Sequence, residues 1–265
     1  MRYFKKKIYR IFYLFCLILL LAGCTGTENR NSIEIEMKFP GLTERNIEWI
    51  KTVNSKDSLN NFYNPSAVLL FENEWYLTQE EIQKKLYNLD IRERVVLKVY
   101  EHSSNEIFEV GEYILADGTV LKYLTACNNE DVWFRKLEVI YKKTESITDS
   151  QTIKEVIMGQ DSKWQKMISL KDVEQLIDTL FWKDARYFSL ARTKYTTTYK
   201  ELLAEYTWLE SPNDFVVNIQ DYHIVSNAVI YLIGQYRAFG GQGLFTLILT
   251  KNKAGVWKYT LDANY

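Results

Sequence analysis

The sequence predicts an α+β protein made of two copies of one unit in tandem, each with N-terminal helices packed on a curved antiparallel sheet. Two observations carry this. Each half opens with helix-patterned segments and closes with a meander of strands, an order that wraps a sheet around its own helices. The landmarks of the first half also return in the second half in the same order. With 47% hydrophobic and 15% aromatic residues in a chain of 265, there is enough apolar surface for one large core or two small ones.

The repeat is clearest near the end of each half. Ile107-Phe108-Glu109-Val110-Gly111-Glu112-Tyr113 is followed by Leu124-Thr125 and Val132-Trp133, and Ile230-Tyr231-Leu232-Ile233-Gly234-Gln235-Tyr236 by Leu249-Thr250 and Val256-Trp257. Earlier in the halves, Leu59, Phe62-Tyr63 and Ala67 align with Ile177, Leu180-Phe181 and Ala185. Glu80-Glu81-Ile82 with Leu86 aligns with Lys200-Glu201-Leu202 with Tyr206.

The elements follow in chain order. Residues 24–40 read as a polar tether, although the alternation of Ile33 to Met37 also suits a strand. Residues 41–145 form the first unit and 146–265 the second. A helix is predicted from Thr43 to Phe62, and its counterpart from Ser150 to about Phe181 with a break near Gly159 or Ser169; Thr43 and Ser150 suit N-caps. Short apolar segments come next (Ala67 to Phe71, Ala185 to Leu190), then second helices (Gln79 to Leu89, Thr198 to Tyr206). Strands fill the remainder: Val95 to Tyr100, Ile107 to Leu115, Val120 to Ala126 and Val132 to Tyr141, answered by Phe215 to Asp221, His223 to Tyr236, Leu244 to Thr250 and Val256 to Leu261. Turn signals such as Asp117-Gly118 and Gly240-Gly241 separate them. Gly111 and Gly234 are expected to mark a bulge or tight bend in a long strand.

Ahead of the tether, residues 1–23 are laid out as a secretory signal peptide. Arg2, Lys5, Lys6, Lys7 and Arg10 precede an apolar run from Ile11 to Leu21 that is short for a membrane-spanning helix, which takes roughly 20 residues. Removing these five basic residues from the 33 in the chain leaves 28 against 34 acidic ones, so the formal charge moves from -1 to -6. Such a chain lacks the clustered positive charge that a nucleic-acid partner demands. Of three cysteines, Cys16 leaves with the signal, and Cys127 has no cysteine or histidine neighbour for a disulfide or a metal site.

The signal ends in Leu21-Ala22-Gly23-Cys24, which resembles the lipobox of bacterial lipoproteins at every position. The resemblance implies cleavage between Gly23 and Cys24, diacylglyceryl transfer to the Cys24 thiol and acylation of the new amino group, giving a palmitate-type lipid anchor in the cell envelope. Two or three acyl chains hold stably where one binds marginally. Thr25 in place of an inner-membrane retention aspartate implies the outer membrane in a two-membrane host. The folded region, residues 41–265, resembles two copies of the nuclear-transport-factor-2-like superfamily, also called SnoaL-like or ketosteroid-isomerase-like. The marks are the aromatic-Gly-x-Tyr strand, the acid-alanine step at Asp184-Ala185 and the closing Gly255-Val256-Trp257-Lys258-Tyr259 strand. The first half departs from them, with Ser66-Ala67 and with Asp131-Val132-Trp133 lacking the glycine. The resemblance implies cone-shaped domains whose mouths can hold a small apolar ligand.

Candidate chemistry is sparse. Of two histidines, His102 lies among Glu101, Ser103, Ser104 and Asn105 and reads as an exposed turn. His223, beside Asp221 and Tyr222, reads as a water-facing residue at a strand edge, with a general base as the functional alternative. Tyr113 and Tyr236 hold equivalent sites, as do Trp133 and Trp257. These five residues (Tyr113, Trp133, His223, Tyr236 and Trp257) are the candidate pocket set, although large aromatics also pack in cores. Gly240-Gly241-Gln242-Gly243 lies between strands and lacks the helix and lysine of a phosphate loop. No Ser-His-Asp, Cys-His or zinc pattern is present, so no catalytic residue, metal or cofactor is assigned. The expectation is a membrane-anchored, non-catalytic module binding a small apolar ligand or a protein. Two alternatives stay open: a small-molecule enzyme of isomerase, hydrolase or dehydratase type with its site in the second cone, and a structural protein of the envelope.

Overall fold

The structure, a computed structural model, describes residues 35–145, 150–210, 215–238 and 241–265. The signal segment, Gly23, Cys24 and the start of the tether lie outside the described residues. The chain divides into two units, Met1–Glu48 and Trp49–Tyr265. In the first, residues 35–38 are helical, where the alternation of Ile33 to Met37 also suited a strand. The Glu36 carboxylate accepts the N–H groups of Gly41 (2.7 Å) and Thr43 (3.2 Å), taking at the start of helix α1 (Leu42–Ser55) the capping role expected of Thr43.

The second unit holds the repeat. Its first copy continues as β1 (Tyr63–Phe71), β2 (Glu74–Tyr76), α2 (Gln79–Leu86), β3 (Ile91–Ser103), β4 (Glu106–Leu115), β5 (Val120–Asn129) and β6 (Trp133–Lys142). The second copy is α3 (Ser150–Leu170), α4 (Val173–Leu180), β7 (Phe181–Ser189), β8 (Lys194–Tyr195), α5 (Tyr199–Glu205), β9 (Val216–Ser226), β10 (Val229–Ala238), β11 (Gly241–Lys251) and β12 (Trp257–Asn264). The long helix predicted in the second half breaks two residues after Ser169. Lys171 takes a positive φ of 56°, and Asp172 then caps α4 by accepting the Gln175 N–H.

The two sheets have the same strand order, β2-β1-β6-β5-β4-β3 and β8-β7-β12-β11-β10-β9. The meanders are antiparallel as expected, but β1 pairs parallel with β6, and β7 with β12. Helices α2 and α5 explain this, because each carries the chain from the first strands to the far edge. Three hairpin connections then return it beside its starting strand, running the same way. Both helices open with the same capping box: Thr78 and Glu81 in α2, Thr198 and Glu201 in α5. Each box satisfies two helix N-terminal N–H groups reciprocally.

Glycines 111 and 234 stand where a strand passes under an aromatic ring. A Cβ at Gly111 would run into the Tyr123 side chain and the Val95 carbonyl, and one at Gly234 into Phe245 and the Asn218 carbonyl. Bulges adjoin both sites, at Val96/Lys98 and at Ile233/Gly234. The predicted boundary between the first two strands of the second half moves. Asp221, Tyr222 and His223 all lie inside β9, and the turn comes at Asn227-Ala228.

Alternation along the strands sends one face of each sheet to its own helices and the other to the opposite sheet. Trp49, Leu69, Tyr113, Tyr123 and Ile140 build the interior of the first copy. Trp164, Leu180, Phe181, Phe245 and Tyr259 build that of the second. A third cluster joins the sheets, with Phe108, Val110 and Tyr141 meeting Tyr231, Ile233 and Tyr265.

Candidate functional site

Strand registers place residues of the two copies on common positions. Gly111 faces Tyr123 as Gly234 faces Phe245, and Thr125 faces Glu138 as Leu247 faces Asp262. Tyr113 faces Arg94 as Tyr236 faces Val217, and Cys127 faces Arg135 as Leu249 faces Tyr259. Glu138 and Asp262 are therefore one position, whereas Arg94 and Arg135 correspond to Val217 and Tyr259. Glu109, opposite Thr125, corresponds to Leu232, opposite Leu247.

In the first copy that interior is filled by charge. The Arg94 guanidinium, 2% exposed, pairs with Glu109, and its Nε donates to the Tyr123 hydroxyl at 2.8 Å. Tyr123 donates in turn to Glu109 at 2.5 Å. The Tyr63 and Tyr113 hydroxyls both donate to Glu138, the latter at 2.5 Å. Aromatic faces sandwich the cations, with Arg94 4.7 Å from the centre of the Tyr123 ring and Arg135 4.2 Å from that of Trp49. Buried charges survive when paired and hydrogen-bonded in this way. Tyr113, one of the candidate pocket residues, belongs to this filled interior and is fully buried.

In the second copy the same region is open. A cavity of about 290 Å³ is lined mostly by apolar and aromatic side chains, including Trp164, Tyr206, Trp208, Phe215, Tyr236 and Tyr259. Asp262 lines it and is 7% exposed. Its carboxylate accepts the Tyr206 hydroxyl, delivered by the C-terminal end of α5. Burial pushes the Asp262 carboxyl up to about 7, and the Tyr206 hydrogen bond only partly opposes that. The phenol of Tyr206 is itself raised, by burial first and by the neighbouring Asp262 second. Trp164, on α3, has its Nε1 buried without a hydrogen-bond partner. A carboxyl that titrates near neutrality, hydrogen-bonded to a phenol in an apolar cavity, can accept or donate a proton and can pair with a polar group on a ligand.

The five candidates therefore part company. Tyr236 lines the cavity, its hydroxyl donating to the Tyr265 carbonyl at 2.6 Å. Trp133 is buried at the start of β6, and Trp257 is half-buried beside Lys251 on β12; neither lines the cavity. His223 is not at a water-facing strand edge. It lies between the sheets, where its Nε2 is 2.6 Å from the Tyr100 hydroxyl, which donates to Asp221 at 2.7 Å. Lys98 also reaches Asp221, at 2.6 Å. Desolvation, with Lys122 and Lys98 nearby, lowers the imidazole to about 4, so it stays neutral. His102 stacks on Tyr265 at 5.3 Å. Cys127 is buried, and burial raises its thiol to about 12. Asp262 and Tyr206 were not singled out from sequence. The signal was present, since an acid recurs between two apolar residues at one position of the last strand in both copies, Leu137-Glu138-Val139 and Leu261-Asp262-Ala263.

Among the described residues no group of three or more His, Cys, Asp or Glu side chains is placed to hold a metal ion, and no helix is long and apolar enough to cross a membrane.

No family model and no curated protein matches the sequence. Solved structures do resemble it. One is an NTF-2 like protein of unknown function from Shewanella oneidensis MR-1, 17% identical, covering 42% of this chain and 97% of its own, with a TM-score of 0.36. A nuclear transport factor 2 (NTF2-like) superfamily protein from Salmonella enterica is 11% identical, covering 44% and 92%, with a TM-score of 0.36. A ketosteroid isomerase-like protein from Erwinia carotovora atroseptica is 13% identical, covering 41% and 98%, with a TM-score of 0.33.

Proposed function

We propose that this chain is a lipid-anchored protein of the bacterial envelope whose second copy of a nuclear-transport-factor-2-like unit binds a small, mainly apolar ligand. The observation that carries the binding reading is the cavity beside Asp262. One copy of the unit has filled its interior with its own arginines and carboxylates, while the other keeps about 290 Å³ open under aromatic walls. Cavities of this kind, mostly apolar with a few placed polar groups, are the usual form of small-molecule sites. The anchor reading rests on Leu21-Ala22-Gly23-Cys24 and its preceding basic and apolar zones, with the outer membrane as the address in a two-membrane host.

Filling the cavity tests the first part. Leu247→Trp, which places an indole where Leu247 lines the wall, should remove any ligand found by native mass spectrometry of protein purified from its source cells. An unchanged ligand complement would overturn the assignment. For the anchor, Cys24→Ala should yield unprocessed protein without fatty-acid label, and equal labelling would remove it.

A second reading is favoured by one observation, the titration of Asp262 near neutrality against the Tyr206 phenol. In that reading the cavity performs acid–base chemistry on its ligand, with Asp262 as the group that exchanges the proton. Turnover lost in Asp262→Asn with ligand binding retained would select it.

A further inference from the structure

We propose that the second cavity receives an organic cation, an ammonium group on a compact apolar body, with the charge held between Asp262 and the aromatic walls. This rests on the reading of that cavity as a ligand site and names the class of ligand. The comparison of the two copies carries it. In the first copy the aromatic interior already contains cations, the Arg94 and Arg135 guanidinium groups over Tyr123 and Trp49, balanced by the buried Glu109 and Glu138. In the second copy the carboxylate position is retained as Asp262 and the rings of Tyr123 and Tyr113 persist as Phe245 and Tyr236, while Trp164 and Tyr259 add further aromatic faces. Both arginine positions have become uncharged, as Val217 and Tyr259. A cage for positive charge remains where the chain no longer supplies the charge.

The lining agrees with this. Among the described residues it holds two carboxylates, Asp161 and Asp262, and no lysine, arginine or histidine. The nearby Arg237 lines a separate surface depression with His102 and Glu101 instead. Aromatic rings attract a cation through their electron-rich faces, and more strongly when water is excluded. Trp164 lies 6.1 Å from Tyr206 and 6.2 Å from Tyr259, edge to face in both cases, and Trp208 lies 4.5 Å from Phe215. Several ring faces therefore surround one volume. An anion would meet two acidic groups there, whereas a cation would hold Asp262 in its charged form. A chain at -6 beyond its signal also draws cations toward its surface.

Matched probes test the class on the full-length chain. Benzyltrimethylammonium and its uncharged isostere neopentylbenzene differ in one atom, nitrogen against carbon, and benzenesulfonate supplies the opposite charge. Tryptophan fluorescence or ring-current shifts should show the cation binding at least tenfold tighter than the isostere, and benzenesulfonate not at all. Asp262→Asn should weaken the cation at least tenfold and leave the isostere within twofold. Val217→Arg, which imports the guanidinium of the first copy, should abolish cation binding. Equal affinity for cation and isostere would overturn the cation proposal and leave a ligand site for neutral molecules. No binding of any probe by the unaltered protein would overturn both the proposal and the ligand-site reading on which it rests. The wild-type comparison decides even if a variant fails to fold.

Discussion

The Tyr100 hydroxyl and the His223 Nε2 lie 2.6 Å apart, and the two residues are the same position of the repeat seen twice. Tyr100 stands opposite Phe108 and His223 opposite Tyr231. Lys98 and Asp221 are equivalent in the same way, each opposite the residue before the strand glycine, and they also touch. Phe108 meets Tyr265 at 5.3 Å and, across the same approximate two-fold relation, Tyr231 meets Tyr141 at 6.4 Å. This is the pattern of an isologous dimer interface built inside one chain.

Acid should weaken that interface. His223 titrates near 4 when folded, below its ordinary value near 6.5. Between those values the unfolded chain binds the extra proton, so stability falls as pH drops through this window, by up to about 3 kcal/mol. Urea melts at intervals from pH 7 to pH 4 should show His223→Gln losing less stability than the wild type. Parallel losses would exclude the histidine as the source.

Asp262 should act in the opposite direction. Its folded pKa of about 7 exceeds the ordinary aspartate value near 3.9, so the unfolded chain loses this proton first as pH rises. Stability then declines between about pH 4 and pH 7, by up to about 4 kcal/mol. Asp262→Asn should remove that slope and be the more stable protein at pH 8. A variant less stable than wild type at every pH would contradict this account.

The filled interior of the first copy should be intolerant of half a change. Arg94→Val removes the guanidinium that pairs with the buried Glu109 beside Tyr123, at a cost of about 3 to 5 kcal/mol. Adding Glu109→Leu copies the Val217 and Leu232 pair of the second copy and should recover more than half of that loss. Calorimetric unfolding of the single and double variants measures the coupling.

Two glycines should respond with opposite signs. Gly234→Ala drives a methyl into Phe245 and the Asn218 carbonyl and should cost about 1 to 3 kcal/mol. At Gly159, inside α3, a Cβ meets no atom within 4 Å. Gly159→Ala should stabilise by about 0.5 to 1 kcal/mol, mostly through helix propensity. Thermal midpoints of the two variants should move in opposite directions.

The architecture was legible because its signals are local or periodic. The ordered landmarks Gly111-Glu112-Tyr113 and Gly234-Gln235-Tyr236 fall on equivalent rungs, and the recurring Glu81 and Glu201 serve equivalent capping boxes. The parallel pairing of β1 with β6 was not legible, because alternation along a strand records which face is buried and not which neighbour lies alongside. The site was missed for a related reason. His223 attracted attention by residue type, whereas Asp262 becomes a functional candidate only when β12 buries it against Tyr206 from α5, 56 residues earlier in the chain. Only a position-by-position comparison of the copies, setting Arg94 against Val217, separates a stuffed interior from an open one.

Fusing the two units in a single polypeptide has a consequence for how they can change. In a homodimer every substitution is made twice, so an arginine that plugs one protomer plugs its mate. With Arg94 and Val217 encoded separately, one interior can be filled while its twin stays hollow. The seam around Tyr100 and His223 keeps them together as they diverge.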